Sequence, residues 1–169
     1  METQTLGRGM MILACAVGMG LLTVFFAGVE DRQRNPNQLP ISQSSQAQHQ
    51  VELTRNRAGH YLVTGTINRQ PAEFLLDTGA TDVVIPEVLA GSLNISRGRP
   101  MRAMTANGPI TVYETRLDEL SIGAITLFDV RASINPAMQA SQILLGMSAL
   151  KQIEFIQRGD SLTLTQYLE

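Results

Sequence analysis

The residues best suited to chemistry lie where an apolar run ends in an acid. Residues 74–76, Phe-Leu-Leu, lead directly into Asp77-Thr78-Gly79-Ala80. An aspartate that ends an apolar strand is costly to bury unless its carboxylate accepts hydrogen bonds or shares a proton. Gly79 allows a close approach of the backbone, so its N–H can face that carboxylate, and Thr78 supplies a hydroxyl. This pattern predicts that Asp77 is held rigidly at the base of a cleft.

The elements that must position Asp77 are predicted to be short strands. Asn107-Gly108 is a strong signal for a β-hairpin within residues 103–112. Short runs that are apolar or alternate in polarity predict further strands over residues 60–67, 72–76, 83–85, 115–122, 125–134, 143–145, 153–156 and 162–165. A helical turn with Ser148 as its cap is predicted over residues 148–153. Strands this short, with little helical periodicity, predict an all-β barrel or sandwich.

Two motifs in sequence order resemble those of the retropepsin-like aspartic proteases. The family hallmark, two apolar residues followed by Asp-Thr/Ser-Gly-Ala/Ser, matches residues 75–80. The second signature, two apolar residues and a glycine, matches residues 143–146 and ends 69 residues after Asp77. The similarity extends over residues 58–168 and implies a small closed retropepsin-like barrel, a single pepsin lobe. The DTGAT, TANG and LLGMS motifs behind an apolar N-terminal segment resemble the membrane-anchored bacterial members of this clan.

The resemblance assigns roles to individual residues. It implies that Asp77 is catalytic, and that the loop around it is supported by Thr78, Gly79, Ala80, Leu145 and Gly146. It places the flap at Thr105, Ala106, Asn107 and Gly108. Asp82 is either a residue of the substrate cleft or a solvated turn residue. Two features depart from the viral pattern: Met147-Ser148 stands where an arginine supports the viral dimer, and the flap tip lacks a run of glycines.

The number of such aspartates bears on assembly. Enzymes of this family need two carboxylates that share one proton, and this chain contains one Asp-Thr/Ser-Gly. The resemblance therefore implies a homodimer that hydrolyses peptide bonds in a peptide or protein substrate, with no cofactor and no metal. A non-catalytic peptide-binding or dimerisation module on the same fold is the alternative.

Composition excludes several other functions. With 13 Lys+Arg against 15 Asp+Glu, the net charge of −2 lacks the basic excess of a nucleic-acid-binding protein. One Cys makes no internal disulfide, and with two His it does not complete a structural zinc site.

The N-terminal region predicts a membrane anchor. After a short tail, residues 1–8, the uncharged residues 9–29 form a helix of roughly 31 Å, enough for a transmembrane signal anchor. A cleaved signal peptide and a lipoprotein anchored at Cys15 are alternatives. Residues 30–50, rich in Gln, Ser, Asn and Pro, predict a flexible polar linker before the domain, residues 51–169. Flanking charges leave the orientation open, and the N-terminal position of the segment predicts that the domain lies outside the cytoplasm. Together with the resemblance to bacterial members, this implies a bacterial inner-membrane protein with its domain in the periplasm.

Overall fold

The elements of the chain are mostly strands. The computed structural model describes residues 2–105 and 108–168. Its helices are α1 (Glu2–Arg34), α2 (Glu87–Ala90) and α3 (Met147–Leu150). Its strands are β1 (Ile41–Ser44), β2 (Gln48–Thr54), β3 (Leu62–Ile67), β4 (Gln70–Leu76), β5 (Val83–Pro86), β6 (Pro100–Thr105), β7 (Gly108–Ile122), β8 (Ile125–Asn135), β9 (Ile143–Leu145), β10 (Glu154–Arg158) and β11 (Ser161–Tyr167).

The larger of the two sheets carries the Asp77 loop. Its seven strands run in the order β3-β4-β9-β5-β8-β7-β6, and β3 also pairs with β7 through Thr66 and Ile67. The sheet therefore curls back on itself and encloses a core whose members include Phe74, Ile85 and Leu117, all fully buried. The predicted all-β barrel is confirmed, and the strands predicted at residues 115–122 and after Asn107-Gly108 merge into the single long β7.

Tight turns hold neighbouring strands in register. Asn68 and Arg69 both have positive φ, 48° and 66°, between β3 and β4. Such a two-residue turn matches the right-handed twist of the strands that it joins. Phe74 is thereby fixed opposite Val63, which directs β4 toward the Asp77 loop.

The smaller sheet contains the main departure from the predicted domain boundaries. Its order is β1-β2-β11-β10, so residues 41–44 and 48–50 lie in strands, whereas the sequence predicted a flexible linker over residues 30–50. Polar composition misled the prediction because β1 is exposed along its whole length, while β2 buries only Val51 and Leu53. Backbone pairing of β2 with β11 orders this segment without many apolar side chains.

The apolar part of helix α1 packs against neither sheet. Residues Arg8–Arg34 are long and apolar enough to cross a membrane, with mean hydropathy 2.3, and this stretch is not buried against the rest of the chain. Its large side chains, among them Met11, Leu22 and Phe25, are more than half exposed. The helix therefore offers an apolar surface with no protein partner in the described chain.

Candidate active site

Asp77 lies at the end of β4, in a turn that binds its own carboxylate. The Gly79 N–H donates to Asp77 Oδ1 at 2.9 Å, as the sequence predicted. The Ala80 N–H donates to the Asp77 carbonyl at 3.2 Å and closes the turn, while the Asp77 N–H donates to the Leu145 carbonyl at 3.2 Å. The side chain is half-buried, so its carboxylate is oriented by the backbone and still accessible.

The second motif supports this turn from behind. Strand β9 runs parallel to β4 and pairs Leu145 with Leu76. A Cβ at Gly146 would overlap the carbonyl oxygen of Asp82 and lie 2.8 Å from that of Ala80. Only glycine fits there, because the contact is with backbone that has no room to move. The two motifs thus form one structural unit although they lie far apart in the chain.

Ser148 adds a support that the sequence did not predict. Gly146 occupies the position before α3, and Ser148 lies inside the helix instead of capping it. Its hydroxyl donates to the Arg131 carbonyl at 2.7 Å and accepts from the Val83 N–H at 2.9 Å. At 5% exposure this hydroxyl joins α3, β5 and β8 directly behind the Asp77 loop. The partners lie 17 and 65 residues away, so no local pattern signals the contact.

Asp82 is held in an ion pair. Arg131 donates to Asp82 Oδ1 from Nε at 2.8 Å and from Nη2 at 2.7 Å, and the Asp82 side chain is 12% exposed. This pairing replaces the predicted alternative of a solvated turn residue. Asp82 also lines a charged cavity of about 470 Å³ together with Arg99, Glu114 and Arg116.

Among the remaining predicted site residues, Thr78, Gly79 and Thr105 are exposed. Thr78 and Gly79 are exposed at the tip of the Asp77 turn, where another molecule can reach them. Thr105 pairs with Gly108 across the β6–β7 hairpin, and its hydroxyl donates to the Gly108 carbonyl at 2.8 Å. Ala106 and Asn107, also predicted for the flap, lie outside the described residues. The hairpin itself is where the sequence predicted it.

Comparison with known proteins places this arrangement in a family. Residues 63–152, which include both motifs, match the family described as gag-polyprotein putative aspartyl protease. Because the match covers more than half of the chain, the protein belongs to this family.

Individual proteins similar to this chain include one sequence relative and two solved structures. An uncharacterized protein in the cobV 5′ region of Sinorhizobium sp is 32% identical over 133 residues, and the match covers 76% of this chain but 57% of that protein. A crystal structure of a retropepsin-like aspartic protease from Rickettsia conorii aligns with TM-score 0.61 at 23% identity, over 76% of this chain and 96% of the other. EIAV protease in complex with the inhibitor HBY-793 aligns with TM-score 0.48 at 22% identity, over 59% of this chain and 92% of the other. The fold is retropepsin-like.

Proposed function

We propose that this chain is an aspartic endopeptidase that acts as a homodimer, with Asp77 as its catalytic residue. The observation that carries the proposal is the Asp77 turn: a half-buried carboxylate bound by the Gly79 N–H and supported by Gly146. That construction suits an acid that must hold one orientation while it exchanges protons with a substrate. The family membership of residues 63–152 supports the same chemistry.

The reaction needs two such carboxylates. Two carboxyl groups in contact share one proton, since like charges a few ångströms apart do not both ionise readily. The unprotonated carboxylate takes a proton from a water molecule, which attacks the peptide carbonyl carbon. The protonated carboxyl gives its proton to the carbonyl oxygen. In the collapse of the tetrahedral intermediate, the carboxyl that took the proton from water gives it to the amide nitrogen, the C–N bond breaks and the amine leaves. The other carboxylate takes a proton back from a hydroxyl of the intermediate, which becomes the new carboxyl group.

The second carboxylate is proposed to come from another copy of the chain. The sequence contains one Asp-Thr-Gly, and a two-fold axis would bring Asp77 of two copies together. Thr78 and Gly79, exposed at the turn, are then available for contact between the two loops. The β6–β7 hairpins are proposed to close as flaps over an extended peptide, whose backbone the cleft would bind as it would a strand.

The proposed location follows from α1. Residues 9–29 would anchor the chain in a bacterial inner membrane, with the β domain in the periplasm. Anchoring confines both copies to one surface and so raises their effective concentration for dimerisation.

The first experiment replaces one carboxylate. Asp77→Asn should abolish cleavage of a peptide library by the full chain, with at least a hundredfold loss of rate, because an amide does not act as the base or share the proton. Asp118→Asn is the matched control, since Asp118 is an exposed aspartate on β7. Equal activity in the two variants would contradict the proposal. Wild-type protein that cuts nothing and binds no pepstatin-like inhibitor would favour the non-catalytic binding module.

A mixing experiment tests the shared site. Wild-type and Asp77→Asn chains, mixed equally and allowed to exchange, should retain about one quarter of the wild-type rate, because only wild-type pairs hold two carboxylates. A rate of one half would mean that each chain acts alone. The rate is measured per total chain, with Asp118→Asn mixed in the same way as control.

A further inference from the structure

The junction between α1 and the β domain is built of buried polar contacts. Asn35 is 1% exposed and Asn37 is 4% exposed. The Asn37 side chain accepts from the Thr54 N–H at 2.7 Å and donates to the Leu62 carbonyl at 2.7 Å. Buried amides with all these partners satisfied hold one geometry, since losing any partner leaves a polar group unpaired.

The same junction is hydrogen-bonded to β4, the strand that leads to Asp77. Arg34 donates to both carboxylate oxygens of Glu73 on β4, at 2.6 and 3.1 Å, and Asn35 donates to Glu73 at 2.9 Å. The Asn35 N–H donates to the Asp31 carbonyl at 2.9 Å, which continues the hydrogen-bonding pattern of α1. The end of α1 is therefore bonded through side chains to β4, the strand that leads to Asp77.

This geometry limits how far Asp77 stands from the membrane. Between residue 29, where the apolar stretch ends, and Arg34 lie about 8 Å of helix. From Glu73 to Asp77 lie at most about 14 Å of strand. With the Arg34–Glu73 side chains between them, Asp77 lies within about 30 Å of the end of the apolar span, and an extended peptide covers that distance in roughly nine residues.

We propose that the substrates are polypeptides anchored in the same membrane and cut within about ten residues of their own membrane-spanning segment. The inference rests on the proposed endopeptidase function and adds to it a class of substrate. A long flexible linker would let the β domain sample many distances from the membrane surface, whereas the junction at Asn35 and Asn37 holds the domain at a single distance.

The test uses the full chain in vesicles of phosphatidylethanolamine and phosphatidylglycerol. A membrane-anchored reporter carries one cleavable peptide, chosen beforehand with soluble peptides, at about five, ten, twenty or forty residues from its anchor. Cleavage should be fastest at about ten residues, slower at about five because that spacer is too short to reach Asp77, and about eightfold slower at forty residues than at ten, as effective concentration falls with spacer length.

Two insertions of equal length between Val29 and Glu30 serve as a matched pair. Eleven residues of Ala, Glu and Lys add about three turns of helix and raise the domain by about 16 Å, so the best spacing should lengthen by about five residues. Eleven residues of Gly and Ser should flatten the dependence on spacing. The double variant Asn35→Ala, Asn37→Ala should also flatten the dependence of cleavage on spacing, and it should still cleave soluble peptides.

The height of the Asp77 loop above the membrane can be measured independently of activity. Energy transfer from a dye on Thr81→Cys, in a Cys15→Ala background, to labelled lipid headgroups reports the height of the Asp77 loop. We expect a narrow distribution of dye-to-headgroup distances in the parent chain. The helical insertion should give an equally narrow distribution at longer distances, and the flexible insertion should give a broad one.

The outcomes separate the two proposals. Soluble-peptide cleavage together with equal cutting at every spacing, or identical profiles for the two insertions, would overturn the substrate class and leave the endopeptidase intact. Absence of any cleavage by the parent chain would overturn the proposed function and this inference with it. A broad distribution of heights in the parent chain would contradict the rigid junction whatever the activity.

Discussion

Gly146 contacts the Asp77 loop more closely than a side chain would allow. A Cβ there would overlap backbone of Asp82, and overpacking of this kind costs about 1–3 kcal/mol. Gly146→Ala should therefore lower the midpoint of thermal unfolding. It should also reduce peptide cleavage about a hundredfold, because displacement of a catalytic group by about 1 Å has that effect.

Gly91 provides the matched control for Gly146→Ala. It has φ −64° at the end of α2, and a Cβ added there meets nothing within 4 Å. Gly91→Ala should leave stability and cleavage unchanged or slightly raise stability. Equal effects of the two substitutions on stability and cleavage would show that the close backbone contact at Gly146 does not cause the losses.

The Ser148 hydroxyl bridges two backbone groups, so its removal should destabilise the fold. Ser148→Ala removes one hydroxyl and leaves the Val83 N–H and the Arg131 carbonyl without it, at an expected cost of about 1–3 kcal/mol. Chemical denaturation measures the free energy of unfolding. Ser92→Ala is the control, because Ser92 is exposed and should cost under about 0.5 kcal/mol. A loss no larger than that of the control would argue against the bridging role.

Residues whose contacts are local were predictable from the sequence. The Gly79 N–H to Asp77 contact spans two residues, so residue types alone indicated it. The hydroxyl of Ser148 and the amide of Asn37 bind partners brought near only by the complete fold. Composition therefore predicted a linker where Asn35 and Asn37 are buried, because the number of polar residues does not show which of them have hydrogen-bond partners in the fold.

At the scale of elements, β10 offers an edge for the proposed homodimer. In the described chain it pairs with β11 on one side, and its residues Glu154-Phe155-Ile156-Gln157-Arg158 are all exposed. Antiparallel pairing of two copies about Ile156 would set Glu154 opposite Arg158 of the other copy, twice by symmetry. Opposite charges in that position stabilise strand pairing.

Charge reversal tests this edge. Glu154→Arg and Arg158→Glu should each weaken dimerisation of the full chain at least tenfold through like-charge contact, and the double reversal should restore it. Sedimentation in detergent measures the association. Tyr167→Phe is the control for the intrachain hydrogen bond from Tyr167 to Glu154, which spans 3.0 Å. A double variant as weak as the single ones would exclude this register.

At the scale of the whole molecule, the sequence predicted the parts better than their connection. The closed β barrel is present as predicted, and the helix predicted over residues 9–29 is present but longer, Glu2–Arg34, since both depend on periodicity and run length. The connection depends on the Arg34–Glu73 ion pair and on two buried asparagines, which carry no periodic signal.

The continuous junction has a consequence for symmetry. Two copies that enter one membrane in the same direction, each rigidly joined to its α1, are related by a two-fold axis perpendicular to the membrane plane. Any dimer whose axis lies in that plane would direct one anchor away from the bilayer. The junction at Asn35 and Asn37 would thus exclude such dimers and select among the pairings open to a freely diffusing domain.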